Sequence, residues 1–222
     1  MRFVLFVALL AGSAASAQPL GGWAMYFGQV RFAGSPFSVH AEAQLRGHEV
    51  ASDLDQVLLR TGAQVAVPGT RVTLTQGIAY VRSEPPGEPA DAAGTDEVRP
   101  YQEALIGQRL GPARLSHRFR LEERFVEGQA FQTRVRYALF ANVPITGDAA
   151  RRGSVYVATY AEPFLRGPGR GDRPVYDRTR LYGALGVRAA DNLGVQVGAL
   201  AQVFDGSTDW QLQLSLHHAV TF

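Results

Sequence analysis

The sequence predicts an all-β fold: an antiparallel up-and-down transmembrane β-barrel of roughly 10–12 strands. Three observations carry this. From Gly21 onward no helical period is found, and segment after segment alternates apolar and polar residues with period two, separated by turn residues. Several segments run ~10–14 residues, longer than the ~5–6 of an average globular strand and close to the ~9–11 that a tilted bilayer-crossing strand needs. The polar faces repeatedly carry Arg, Glu and Gln at mid-strand, as a polar lumen requires.

Taken in order, the first segment covers 22–32 and turns at Gly34-Ser35-Pro36. The second, 37–46, sets Val39, Ala41, Ala43 and Leu45 against His40, Glu42, Gln44 and Arg46. The third, 55–67, opposes Val57, Leu59, Ala63 and Val65 to Gln56, Arg60 and Gln64, and Pro68-Gly69 then makes a tight turn. The fourth, 70–82, has Val72, Leu74, Ile78 and Tyr80 on one side and Arg71, Thr73 and Thr75 on the other. A Pro- and acid-rich loop fills 83–97. The fifth segment, 98–110, alternates too poorly for its faces to be assigned.

Gly111-Pro112 leads into the sixth, 114–126, with Arg118, Arg120, Glu122 and Arg124 on its polar face. The seventh, 131–143, opposes Val135, Tyr137 and Leu139 to Arg134, Arg136 and Asn142. The eighth, 154–164, brings Tyr156, Tyr160 and Glu162 to one face. The ninth, 177–189, sets Leu181, Leu185 and Val187 against Arg180 and Arg188, and the tenth, 193–204, sets Val195, Val197 and Val203 against Gln196 and Gln202. With the C-terminal segment this makes eleven. A closed bacterial barrel with both ends on one side has an even number, so the sequence reading expects one segment, before Thr70, to be split, fused or missed.

The last segment, 209–222, alternates most strictly. Trp210, Leu212, Leu214, Leu216, His218, Val220 and Phe222 share one face; Gln211, Gln213, Ser215 and His217 share the other. It resembles the terminal strand that barrel-assembly machinery reads, with Trp210, Leu214, Leu216, Val220 and Phe222 as the signal. His218 departs from that pattern. Aromatic residues near segment ends (Trp23, Tyr80, Phe125, Phe164, Tyr176, Trp210, Phe222) read as interfacial girdles.

The N-terminus has the three parts of a secretory signal peptide: Met1-Arg2, the apolar run 3–11, and Ala15-Ser16-Ala17, with cleavage before Gln18. Residues 1–17 are therefore read as the signal and 18–222 as one barrel domain, exported to the outer membrane of a Gram-negative bacterium. The chain has no Cys, which excludes disulfides and thiolate metal sites. A formal net charge of +2 is too near neutral to suggest a nucleic-acid partner. All 22 basic residues are Arg, so every side-chain cation other than a protonated His is a planar fork suited to carboxylates.

Four strings resemble the uncharacterised bacterial family DUF2490, grouped with outer-membrane β-barrels. They are Arg118-Phe119-Arg120-Leu121-Glu122-Glu123-Arg124-Phe125, Arg134-Val135-Arg136-Tyr137, Ala161-Glu162-Pro163-Phe164 and Asp177-Arg178-Thr179-Arg180-Leu181-Tyr182. With Trp23 and Arg60 the likeness spans most of the mature chain; Pro163 and Thr179 depart from it. The resemblance implies a fold and a location, and no activity.

With the apolar faces toward lipid, Glu42, Arg46, Arg60, Arg71, Arg118, Arg120, Glu122, Arg124, Arg134, Arg136, Glu162, Arg180 and Arg188 point inward. In a narrow barrel they form a network that plugs and rigidifies the lumen. An Arg-lined passage for anions is the alternative. A lipid-modifying enzyme and a soluble periplasmic binding barrel are the other classes weighed. No catalytic set emerges: Ser116 and His117 face apart, and Ser215 and His217, ~6.6–7 Å apart along a strand, are too distant for a direct bond without unusual rotamers. His217 and His218 face apart and cannot chelate a metal. The acids of 83–97 (Glu84, Glu88, Asp91, Asp96, Glu97) match no calcium loop and read as a solvated loop. No cofactor and no metal is expected. The partners expected are outer-membrane lipid and lipopolysaccharide, with a monomer by default.

Overall fold

In a computed structural model, which describes residues 20–87, 94–147 and 151–222, eleven strands close into one barrel. The predicted signal segment, 1–17, lies outside the described residues, as do Glu88 and Asp91. The strands are β1 (Gly21–Arg31), β2 (Phe37–Glu49), β3 (Ser52–Ala66), β4 (Val72–Ser83), β5 (Thr95–Leu110) and β6 (Ala113–Val126). They continue with β7 (Gln132–Pro144), β8 (Val155–Arg166), β9 (Tyr176–Ala190), β10 (Leu193–Val203) and β11 (Thr208–Thr221). Each is 11–16 residues long, and sequential neighbours pair antiparallel throughout.

The eleven segments of the sequence are eleven strands, and none is split, fused or missed. The expectation of an even count fails because the barrel closes through a parallel pair: β1 runs beside β11 in unbroken register from Gly21↔Gln211 to Arg31↔Thr221. A parallel closure needs an odd number of strands when every other pairing is antiparallel. It also puts the first residue of β1 and the last of β11 on opposite rims.

Alternation decides which way each side chain points. Leu59, Ile78, Phe119, Val135, Leu181, Leu185, Val197, Leu212 and Leu214 are exposed on the outer wall. Glu42, Arg60, Arg120, Glu122, Arg134, Arg136 and Glu162 are buried within. The arrangement is the reverse of a water-soluble core. Tight turns set the hairpins; the β3–β4 turn passes through Gly69 at φ 73°, a conformation that costs a residue with a Cβ.

Two predicted girdle aromatics are corrected. Trp23 and Phe164 are buried in the interior, 5% and 1% exposed, because their positions share parity with Met25 and with Glu162. Tyr80, Phe125, Trp210 and Phe222 are exposed. His218, the outward departure in the last strand, is satisfied by neighbours: Tyr26 Oη lies 3.1 Å from its Nδ1 and Asn192 Nδ2 lies 3.2 Å from its Nε2.

Candidate functional site in the barrel interior

The inward faces of β2, β3 and β5–β9 carry a connected lattice of arginines and carboxylates. Glu122, on β6 and fully buried, stands at its centre. Its Oε2 accepts from Arg134 Nε at 2.8 Å and Nη2 at 2.6 Å; its Oε1 accepts from Arg136 Nη1 at 2.7 Å. Arg120 and Arg60 approach the same carboxylate at 3.8 and 4.0 Å. Arg136 reaches on to Glu162, which Arg118 also holds at 2.6 Å. Arg60 donates to Glu42 at 2.7 Å, and Arg120 donates to Glu103 at 2.7 Å.

Toward the rim where β1 begins, Glu97 takes two bidentate guanidinium forks. Arg99 donates through Nε at 2.8 Å and Nη2 at 2.7 Å, and Arg124 does so at 2.7 and 2.9 Å. Charge-assisted forks of this kind are about twice as strong as neutral hydrogen bonds and define orientation as well. Aromatic rings form the shelves between them. The guanidinium carbons of Arg136, Arg180 and Arg134 lie 4.3, 4.9 and 5.3 Å from the centre of the Phe164 ring. Tyr101 carries Arg120 at 4.8 Å and lies over Gly77, where a Cβ would come within 2.4 Å of the phenol ring.

The other side of the interior is different. Trp23, Tyr156, Ala158, Tyr182, Ala184 and Leu200 form a buried apolar cluster, with Met25 and Tyr160 against it. Gln196, Gln211, Gln213 and Ser215 complete this side with uncharged polar groups. Between the two sides a cavity of about 800 Å³ is lined from both rims, from Ser83 and Gln129 at one to Arg31 and Ala219 at the other.

Of the inward residues predicted from sequence, twelve face the interior. Nine of these, Glu42, Arg60, Arg118, Arg120, Glu122, Arg124, Arg134, Arg136 and Glu162, are members of the lattice. Arg46, Arg180 and Arg188 line the cavity outside it. Arg71 is the exception: it precedes β4 and is exposed, because the strand begins one residue after it.

Several members of the lattice carry no alternation signal in the sequence. Glu97, Arg99, Tyr101 and Glu103 continue one parity along β5; they go unrecognised because Pro100 interrupts the alternation at mid-strand. Glu84 and Glu97 are buried and paired, with Arg82 and with Arg99 and Arg124, so the solvated-loop reading of these two acids is overturned. Asp177 is buried and bonded to Arg166 at 2.5 Å. No parity rule finds it, since the β8–β9 register shifts between Phe164 and Leu165 and turns an extra residue inward.

A further expectation fails at Ser215 and His217. Ser215 Oγ lies 3.1 Å from His217 Nε2, a direct bond. Side chains lean along the strand, and a long imidazole reaches back where Cβ spacing alone forbids contact. Ser215 is 0% exposed, His217 is stacked on Phe27 at 4.8 Å, and no carboxylate lies within ion-pair distance of the imidazole among the described residues. No group of three metal-ligating side chains occurs among the described residues.

No curated protein and no solved structure matches the chain. The family model for the protein of unknown function DUF2490 matches residues 20–213, from the start of β1 into β11 and so through the whole lattice. The chain belongs to the DUF2490 family.

Proposed function

We propose that this protein is an outer-membrane β-barrel without catalytic activity, whose lumen is largely filled by the arginine–carboxylate lattice. The observation that carries this reading is the orientation of the wall. Leucine, isoleucine, valine and phenylalanine stand exposed around the barrel while the charges face one another inside. An apolar surface of this extent is unfavourable in water and favourable against hydrocarbon. Outer-membrane lipid and lipopolysaccharide are the partners that fit such a wall. The outward Trp210, Leu214, Leu216, Val220 and Phe222 of β11 and the residue after it suit docking to barrel-assembly machinery. Cell fractionation is the first test: the protein partitions with outer membranes and needs detergent for extraction, and release as a soluble periplasmic protein defeats the reading. Turnover of phospholipid or lipid A by the purified barrel, lost on His217→Ala, would replace it with an enzyme.

A second reading, a narrow anion-biased passage, is favoured by one observation. The cavity is lined from both rims, by thirteen arginines against four glutamates among the described residues. Rings of arginine bias pores toward anions. Conductance of the refolded protein in planar bilayers separates the two: no steady current supports the filled lumen, and a steady anion-selective current supports the passage.

A further inference from the structure

Of the seven arginines buried in the interior among the described residues, five hold a carboxylate and two do not. Arg46 on β2 and Arg180 on β9 are 9% and 8% exposed, as buried as the lattice members. Neither has a carboxylate within 4.0 Å among the described residues. Arg46 donates to amide oxygens only, to Gln44 through Nε at 2.9 Å and to Gln56 through Nη1 at 2.5 Å. Arg180 donates through Nε to Gln202 at 2.9 Å. Both guanidinium groups sit against one indole, their central carbons 4.2 and 4.8 Å from the Trp23 ring centre.

Amide oxygens orient a guanidinium but do not neutralise it, and the guanidinium stays protonated at any physiological pH. The face of an indole attracts a cation, but by less than desolvating the ion costs. Two like charges at one ring add repulsion. An anion bound beside the ring would supply the missing compensation. Among the described residues the terminal amino groups of Arg180 have no hydrogen-bond partner, and they can bind one in the forked geometry that guanidinium shares with carboxylates and phosphates. Both side chains line the 800 Å³ cavity, near the rim where Gln56 and Ser83 meet. That volume is of the size that holds small ligands.

We propose that the corner formed by Arg46, Trp23 and Arg180 is a binding site for a compact oxyanion, a carboxylate or a phosphate. The inference goes beyond the membrane reading and needs only the folded barrel. It differs from a general preference of the lumen for anions in naming one site with one set of residues.

Trp23 is itself the reporter. The chain has two tryptophans, and the other, Trp210, is exposed on the outer wall. In a Trp210→Phe background, the folded barrel in detergent micelles is titrated with inorganic phosphate, and separately with acetate, at constant ionic strength. The expected result is a saturable change in Trp23 emission, with the tighter of the two anions identifying the ligand class. Arg180→Gln is expected to weaken binding about tenfold or more, the loss of one charge-assisted fork. Arg188→Gln, which removes another cavity arginine near the opposite rim, is expected to leave it unchanged. A response that never saturates, or one equal in Arg180→Gln and the parent, overturns the site. Should Arg180→Gln fail to fold, Arg46→Gln decides by the same readout. Failure of both to fold also overturns it, by assigning the two arginines to the architecture. Binding in micelles is read independently of fractionation and conductance, so this inference and the proposed function fail separately.

Discussion

One barrel wall encloses two unlike interiors. Along β3 and β5–β8 it is lined by charge, with Glu122 gripping Arg134 and Arg136, and Glu162 gripping Arg136 and Arg118. Along β1 and β9–β11 it is lined by Trp23, Tyr182 and Leu200 with neutral glutamines and Ser215. The charged half is specific and unforgiving, because each ion is stable only while its partner stays. The aromatic half is held by packing, so a change there costs buried contacts rather than a counter-charge. Arg46 and Arg180 stand at the border and have rings and amides where their neighbours have carboxylates.

The comparison breaks most visibly at Glu122. Glu122→Ala strands two buried guanidinium groups and is expected to cost about 3–5 kcal/mol, read as a fall in the denaturant midpoint of the refolded barrel. A loss under about 1 kcal/mol would mean that water, not the lattice, compensates those arginines. Phe164→Ala tests the shelf beneath the charges. The loss of a fully buried ring is expected to cost about 3 kcal/mol, and the same substitution at outward Phe119 much less in micelles.

Arg180→Gln sharpens the contrast by its sign. Without added oxyanion it removes an uncompensated buried charge, so stability is expected to stay level or rise by about 1 kcal/mol or more. A drop as large as that of Glu122→Ala would put Arg180 in the lattice after all. In the aromatic half, Gln213→Leu is expected to move the midpoint by less than about 1 kcal/mol, since the buried amide oxygen of Gln213 has no hydrogen-bond partner among the described residues. The parallel seam gives the smallest effect. Parallel pairing is slightly weaker per residue, so amides of β1 and β11 are expected to exchange with deuterium ahead of those in β6 and β7.

Much of this was legible from residues alone. Strict alternation in β6, β7 and β11 assigns each side chain to a face, and the run Arg118, Arg120, Glu122, Arg124 names one whole edge of the lattice. Legibility fails where the period breaks. Pro100 hides the inward face of β5, and the register shift beside Phe164 brings Asp177 in unannounced. It fails again where reach matters more than spacing, as in the bond from Ser215 to His217. Trp23 and Phe164 mislead because an aromatic near a strand end fits a girdle and a shelf for arginine equally well.

By itself, then, the order of residues determined the all-β class, a barrel of about 10–12 strands and the face of the charges wherever the alternation is unbroken, because a two-residue repeat is a local property of the backbone. The partner of each charge, the parallel closure of β1 on β11 and the isolation of Arg46 and Arg180 were decided by the tertiary structure alone. These depend on which strands curve round to meet across the lumen. No pattern within a strand records a distance to the opposite wall.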